Sequence, residues 1–91
     1  MNSAEFEANL AQEGYTEVAK RGMEADKIVD EHDHPFDAKL LILEGELTLT
    51  REGATRTYHA GDIFSMAAGC RHVEQSGSEG ALYIVGRRYP A

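Results

Sequence analysis

The sequence predicts an all-β domain, a sandwich or a barrel, preceded by one short helix. Apolar and polar residues alternate at period two in short runs, most clearly in Leu47-Thr48-Leu49-Thr50. Turn-forming residues separate the runs at short intervals, at Gly45, Glu52-Gly53, Ala60-Gly61-Asp62, Gly69, Gly77 and Gly80. Helical spacing of apolar residues occurs only at the start of the chain, in Phe6 and Leu10.

Residues 1–14 carry the helix. Asn2 or Ser3 can cap it, with Glu5 three residues after Asn2 as a capping box requires, and Gly14 stops it. The apolar face is narrow, so this helix must lean on something else. Residues 15–91 carry the β structure, and the whole reads as one domain. Tyr15–Lys20 is the first strand, and Lys27–Asp30 leads into a pair of histidines. Leu40–Leu43 is apolar on both faces, as in a strand covered on both sides, and Gly45 interrupts it. Leu47 and Leu49 mark a half-buried strand that turns at Glu52-Gly53 into Thr55–Tyr58. Ile63–Met66 follows, then a bend at Ala67–Gly69 and a short strand holding His72. A turn flanked by Gly77 and Gly80 leads to Ala81–Val85, which closes the sheet.

A chain of 91 residues is near the lower limit for a self-sufficient core, so a metal or a second subunit would add useful stability. The net charge of −7 and the lack of a Lys/Arg cluster argue against nucleic acid, Arg87-Arg88 being too little. No long apolar run suggests a membrane span, and no basic-then-apolar start suggests a secretory leader. A single cysteine, Cys70, cannot form an internal disulfide and fits a reducing cytoplasm.

The chemistry lies in the histidines. His32 and His34, one residue apart in Glu31-His32-Asp33-His34, point the same way if they share a strand. With His72 brought in from another strand, they form a facial set of nitrogen ligands that a first-row transition metal accepts. Taken singly, each histidine reads equally as an ordinary surface or core residue.

Placed on this strand order, the histidines resemble the cupin family. Its first motif is His-x-His, three or four residues, Glu, six residues, Gly. Here His32-Asp33-His34 is followed by Pro35-Phe36-Asp37, then Ala38, and six residues later by Gly45 within Leu43-Glu44-Gly45-Glu46-Leu47. The second motif is Gly, five residues, Pro-x-Gly, two residues, His, three residues, Asn. Gly61, Ala67-Ala68-Gly69, His72 and Ser76 stand at those positions. The resemblance spans residues 15–88. It implies a cupin-type β-barrel, a double-stranded β-helix or jelly roll, with His32, His34 and His72 as metal ligands. The chain departs from the pattern at the carboxylate ligand, where Ala38 (or Lys39 at the longer spacing) cannot coordinate. What remains is similar to the three-histidine site of thiol dioxygenases and of some dioxygen-dependent C–C cleaving cupins.

Two carboxylates are candidates to compensate. Asp37 precedes the vacant position and faces outward in a regular strand, inward only across a bulge. Glu74, two residues after His72, shares its face. It is expected as an acceptor for an imidazole N–H or as a general base. It is less expected as a ligand, because residues i and i+2 of a strand lie ~6.5–7 Å apart. His59, at a strand end, is expected outside the site, and Cys70 is expected as a small buried side chain. Phe36, Phe64, Met66 and Tyr83 are expected as core or pocket wall.

The expected function is a metal-binding small cupin, with a dioxygenase-like oxidoreductase acting on a small chelating substrate as the leading activity. Fe is the leading metal, with Mn, Ni, Cu and Zn as alternatives. A non-catalytic module that binds or senses a small molecule is the other reading, and a barrel kept for assembly a third. A small-molecule ligand and a second copy of the chain are the expected partners, the dimer covering an exposed strand edge.

Overall fold

The computed structural model describes residues 2–90. Its elements are α1 (Ser3–Gln12), β1 (Glu17–Met23), β2 (Ile28–His32), β3 (Asp37–Arg51), β4 (Ala54–His59), β5 (Ile63–Met66) and β6 (His72–Arg88). All strand pairings are antiparallel, and β3 and β6 form the spine.

These two long strands each serve two layers. Residues 37–42 of β3 pair with 83–88 of β6, flanked by β5 and β1. Residues 47–50 of β3 pair with 73–76 of β6, flanked by β4 and β2. The result is two four-stranded layers folded from one sheet, the expected double-stranded β-helix. The main core lies between them, with Leu40, Ile42 and Val85 from one layer against Leu47, Leu49 and Tyr58 from the other.

The bend between layers corrects the strand limits read from sequence. Gly45 does not end a strand, and Gly77 and Gly80 do not bracket a separating turn. Both strands run through, with register shifts between Ile42 and Leu47. Before the shift the even residues Ala38, Leu40 and Ile42 face the core; after it the odd residues Leu47 and Leu49 do. On β6 the phase likewise passes from His72 and Ser76 to Ala81 and Val85. Gly45 and Gly80 both have positive φ, 73° and 76°, which an L side chain resists. The first strand is also displaced from expectation: it begins at Glu17 and runs on to Met23, because Tyr15 turns back to pack under the helix.

The helix matches its sequence signals. The Asn2 side-chain oxygen accepts from the Glu5 backbone N–H at 2.8 Å, and the Asn2 side-chain Nδ2 donates to the Glu5 carboxylate at 2.8 Å. At the other end Gly14, with φ 84°, lets the Tyr15 N–H return to the Leu10 carbonyl at 2.9 Å. Phe6 and Leu10 bury against Leu41 and Ile84, which point out of the barrel from β3 and β6. Arg88 donates to the Glu13 carbonyl at 2.8 Å, and Lys39 pairs with Glu13 at 2.8 Å. No helix of the described residues is long and apolar enough to cross a membrane.

Candidate metal centre

Two strands and a loop supply the histidines, each positioned by a local backbone feature. On β2, Val29 lies opposite Glu74, and a bulge intervenes before His32 lies opposite His72. Without the extra residue, His32 would fall on the outer face; the bulge rephases it inward. His34 lies beyond the end of β2, so strand alternation does not aim it, contrary to the sequence expectation. Its backbone carbonyl instead accepts from the Gly69 N–H at 2.8 Å, tying its loop to the one before His72. Its ring stacks on Phe36, with centroids 4.7 Å apart.

The three rings converge. Their centroids lie 4.7 Å apart for His32 and His34, 4.4 Å for His32 and His72, and 5.2 Å for His34 and His72. Glu74 joins them: one donor atom from each of the four residues lies within 4.8 Å of every other. That spread is slightly wider than the ~4.2 Å across two opposite ligands at about 2.1 Å each, so the side chains need close in only by tenths of an ångström around an ion.

The hydrogen bonds decide which nitrogens are free. His32 Nδ1 donates to the Asp30 carbonyl at 2.7 Å, and His72 Nδ1 donates to the Cys70 carbonyl at 2.9 Å. A carbonyl can only accept, so in both neutral rings the proton sits on Nδ1 and Nε2 carries a bare lone pair. His72 is 1% exposed, and its Nε2 makes no hydrogen bond. A Glu74 carboxylate oxygen nevertheless lies 3.3 Å from it. Two acceptors facing each other in a buried place need a cation between them. A proton would serve for that pair alone; two further imidazoles at the same point favour a metal ion. The donor set therefore fits a divalent transition metal.

Burial holds the His34 imidazole below its ordinary value of 6.5, helped by the rings of His32 and His72 and by Arg87, and opposed by Glu74. The neutral, ligating form is thereby favoured. Burial, and then the Glu74 carboxylate, push the Tyr83 phenol above its ordinary value of 10.0, so it stays a proton donor at neutral pH.

Beside the cluster lies a cavity of about 140 Å³. Ala38, at the position of the missing carboxylate, forms part of its wall together with Phe36, Leu40, Met66 and Val85. Arg21, Tyr83 and Arg87 line it as well. Sequence reasoning missed both arginines. The first strand was read as ending before Arg21, and the inward phase of Arg87 depends on the shift in β6.

The remaining candidates lie elsewhere. Asp37 faces outward, where its carboxylate accepts from the Ala68 N–H at 2.9 Å and from Arg88 at 3.1 Å. Those two bonds hold it below its ordinary value of 3.8. His59 is exposed at the end of β4, 3.3 Å from a Glu46 carboxylate oxygen. Cys70 is a partly exposed free thiol whose carbonyl, not its sulfur, serves the site. Ser76 is buried; its hydroxyl accepts from the Lys27 N–H at 2.9 Å and donates to the Glu24 carbonyl, fastening the β1–β2 connection to β6.

No protein of curated function matches the chain. Among solved structures, a protein of unknown function from Rhizobium leguminosarum superposes with a TM-score of 0.76 at 23% identity, over 80% of this chain and 69% of that one. The DMSP lyase DddQ from Ruegeria pomeroyi gives a TM-score of 0.71 at 25% identity, over 78% of this chain and 36% of that one. A variant of oxalate decarboxylase from Bacillus subtilis gives 0.71 at 18% identity, over 79% of this chain and 20% of that one. Residues 15–85 match the family described as the cupin domain. With that match, the two-layered barrel and the histidine cluster at its mouth, the chain belongs to the cupin family.

Proposed function

We propose that the protein is a small metal-dependent enzyme that holds a divalent transition metal on His32, His34 and His72 and acts on a small chelating substrate, with redox chemistry as its leading activity. One observation carries the reading: the buried, unpartnered Nε2 of His72 faces the Glu74 carboxylate, with two more imidazoles at the same point. A bound ion would supply Lewis acidity and, as iron, a place for dioxygen. The chain's own groups do the rest. The Asp30 and Cys70 carbonyls fix two imidazoles in the ligating tautomer. Glu74 can take a proton from a substrate beside the cluster, and Tyr83 can give one. Phe36, Leu40 and Met66 limit water.

The test is metal analysis of untagged protein, followed by dioxygen uptake with the Fe(II)-loaded sample. Uptake that depends on added substrate and vanishes in His72→Ala is the expected result. Protein that takes up no divalent metal would sink the proposal.

The names of two structural neighbours, a lyase and a decarboxylase, favour a second reading. In it the same metal and the same Glu74 serve a bond cleavage without net oxidation. Turnover with no dioxygen consumed would select it. A metal-loaded protein that binds but never turns over would instead be a sensing module.

A further inference from the structure

Two guanidinium groups in the cavity are unpaired, although the Glu74 carboxylate lines the same space. Among the described residues, Arg71 pairs with Glu31, Arg88 pairs with Asp37 and Arg51 donates to the Ser65 carbonyl. Arg56 lies over the Tyr58 ring and does not line the cavity. Arg21 and Arg87 do line it, and neither makes an ion pair or a hydrogen bond. The chain is not short of partners, having 16 acidic residues against 9 basic ones. Glu17 lies directly opposite Arg87 in the β1–β6 ladder, yet no ion pair forms between them.

Both arginines are held in place by the sheet. Arg21 lies opposite Tyr83, and Arg87 opposite Ala38 on the other side, so the two guanidiniums and the vacated carboxylate position share one inner face. The Arg87 guanidinium stands over the Phe36 ring, 4.6 Å from its centroid, and Phe36 in turn stacks on His34. Arg87 is thus one aromatic ring away from a metal-ligating imidazole. With neutral imidazoles, Arg21 and Arg87 contribute +2 and Glu74 contributes −1, leaving the cavity at +1. A divalent ion raises that to +3. Arg87 is half-buried and Arg21 is exposed at the cavity's edge, and guanidiniums that face such a space without a partner are suited to a ligand that brings the anion.

We infer that the substrate is a small dianion, chelating the metal through a 2-hydroxy- or 2-oxo-carboxylate end and placing a second carboxylate on Arg21 and Arg87. The chelating half of this inference rests on the metal reading above; the arginine half does not. Ala38, opposite Arg87 and on the cavity wall, is small and leaves room for the ligand's backbone.

The probes are L-malate and L-lactate, which share the chelating end and differ in the second carboxylate. Isothermal titration of the metal-loaded protein is expected to show malate binding at least about tenfold more tightly than lactate. Arg87→Gln and Arg21→Gln are each expected to lower malate affinity about tenfold and to leave lactate affinity and metal content within about twofold. Equal affinities for the two acids, or full malate affinity in both variants, would overturn the inference. The arginine Nε–Hε resonances provide a reading without metal. In metal-free protein, malate is expected to shift those of Arg21 and Arg87 and to spare that of Arg56. If those shifts appear in a protein that takes up no metal, the arginine site stands and the metal reading falls. If metal binds and neither resonance moves, the reverse holds.

Discussion

Gly45 and Gly80 meet backbone to backbone where the two long strands change phase: a Cβ built on Gly45 would overlap the Gly80 carbonyl oxygen. The barrel's two layers are joined through this contact. On its far side lie His72 and Glu74; on its near side lie Tyr83 and Arg87.

Gly45→Ala therefore combines a left-handed backbone with a steric overlap against main chain. The expected cost is about 2–4 kcal/mol, or about 10–20 °C in melting temperature for a domain of this size. Thermal unfolding followed by circular dichroism checks it. Gly53, also at positive φ but with open space around it, should lose clearly less on the same substitution.

Glu74→Gln separates metal binding from folding. The amide can donate to the His72 Nε2 that now faces a carboxylate, so the metal-free variant should melt no lower than the parent. Metal affinity should fall by about 10–100-fold. Competition against a chromogenic chelator measures the second effect, and a calorimetric scan of the chelated protein the first.

Acid should weaken the metal-free protein in two windows. His34 binds its proton less readily folded than unfolded, so the unfolded chain holds more protons below 6.5 and stability falls as the pH drops through that range. Asp37 also has a lowered value, so its contribution is complete above 3.8 and is lost as the pH falls further. Melting curves of chelated protein between pH 8 and pH 3 should show both losses, and Asp37→Asn should remove the lower one. Affinity for the metal should fall in the upper window as well, because an imidazole must be deprotonated to ligate.

Asn2→Ala tests the helix apart from the site. Loss of the cap should cost about 1 kcal/mol while metal content stays at the parent value.

The alternation of Leu47 and Leu49, the Asn2 cap and the Gly14 stop all act through neighbouring residues, which is why those elements were legible in the sequence. The histidine and glycine spacing placed His32, His34 and His72 in one site and left position 38 without its carboxylate. What sequence could not supply was phase. The bulge before His32, the loop position of His34 and the shift at Gly45 each change which face a side chain takes, and each is set by pairing with a distant strand. Arg87 was hidden for that reason, and Arg21 because the first strand was read as ending before it. Glu74 lies with His72 in the cluster as strand parity expects, and its carboxylate leans to within 3.3 Å of the His72 ring.

His32 and His72 both give their Nδ1 proton to the carbonyl two residues upstream, Asp30 and Cys70 respectively. The tautomer at these two positions is therefore fixed by the peptide path, through main-chain carbonyls, and not by a hydrogen bond from a neighbouring side chain. Neighbouring positions are free to drift without scrambling the nitrogen donors, so an acidic group can be lost from one wall and regained on another. A scaffold organised in this way can trade one reaction for a different one by changing its lining alone.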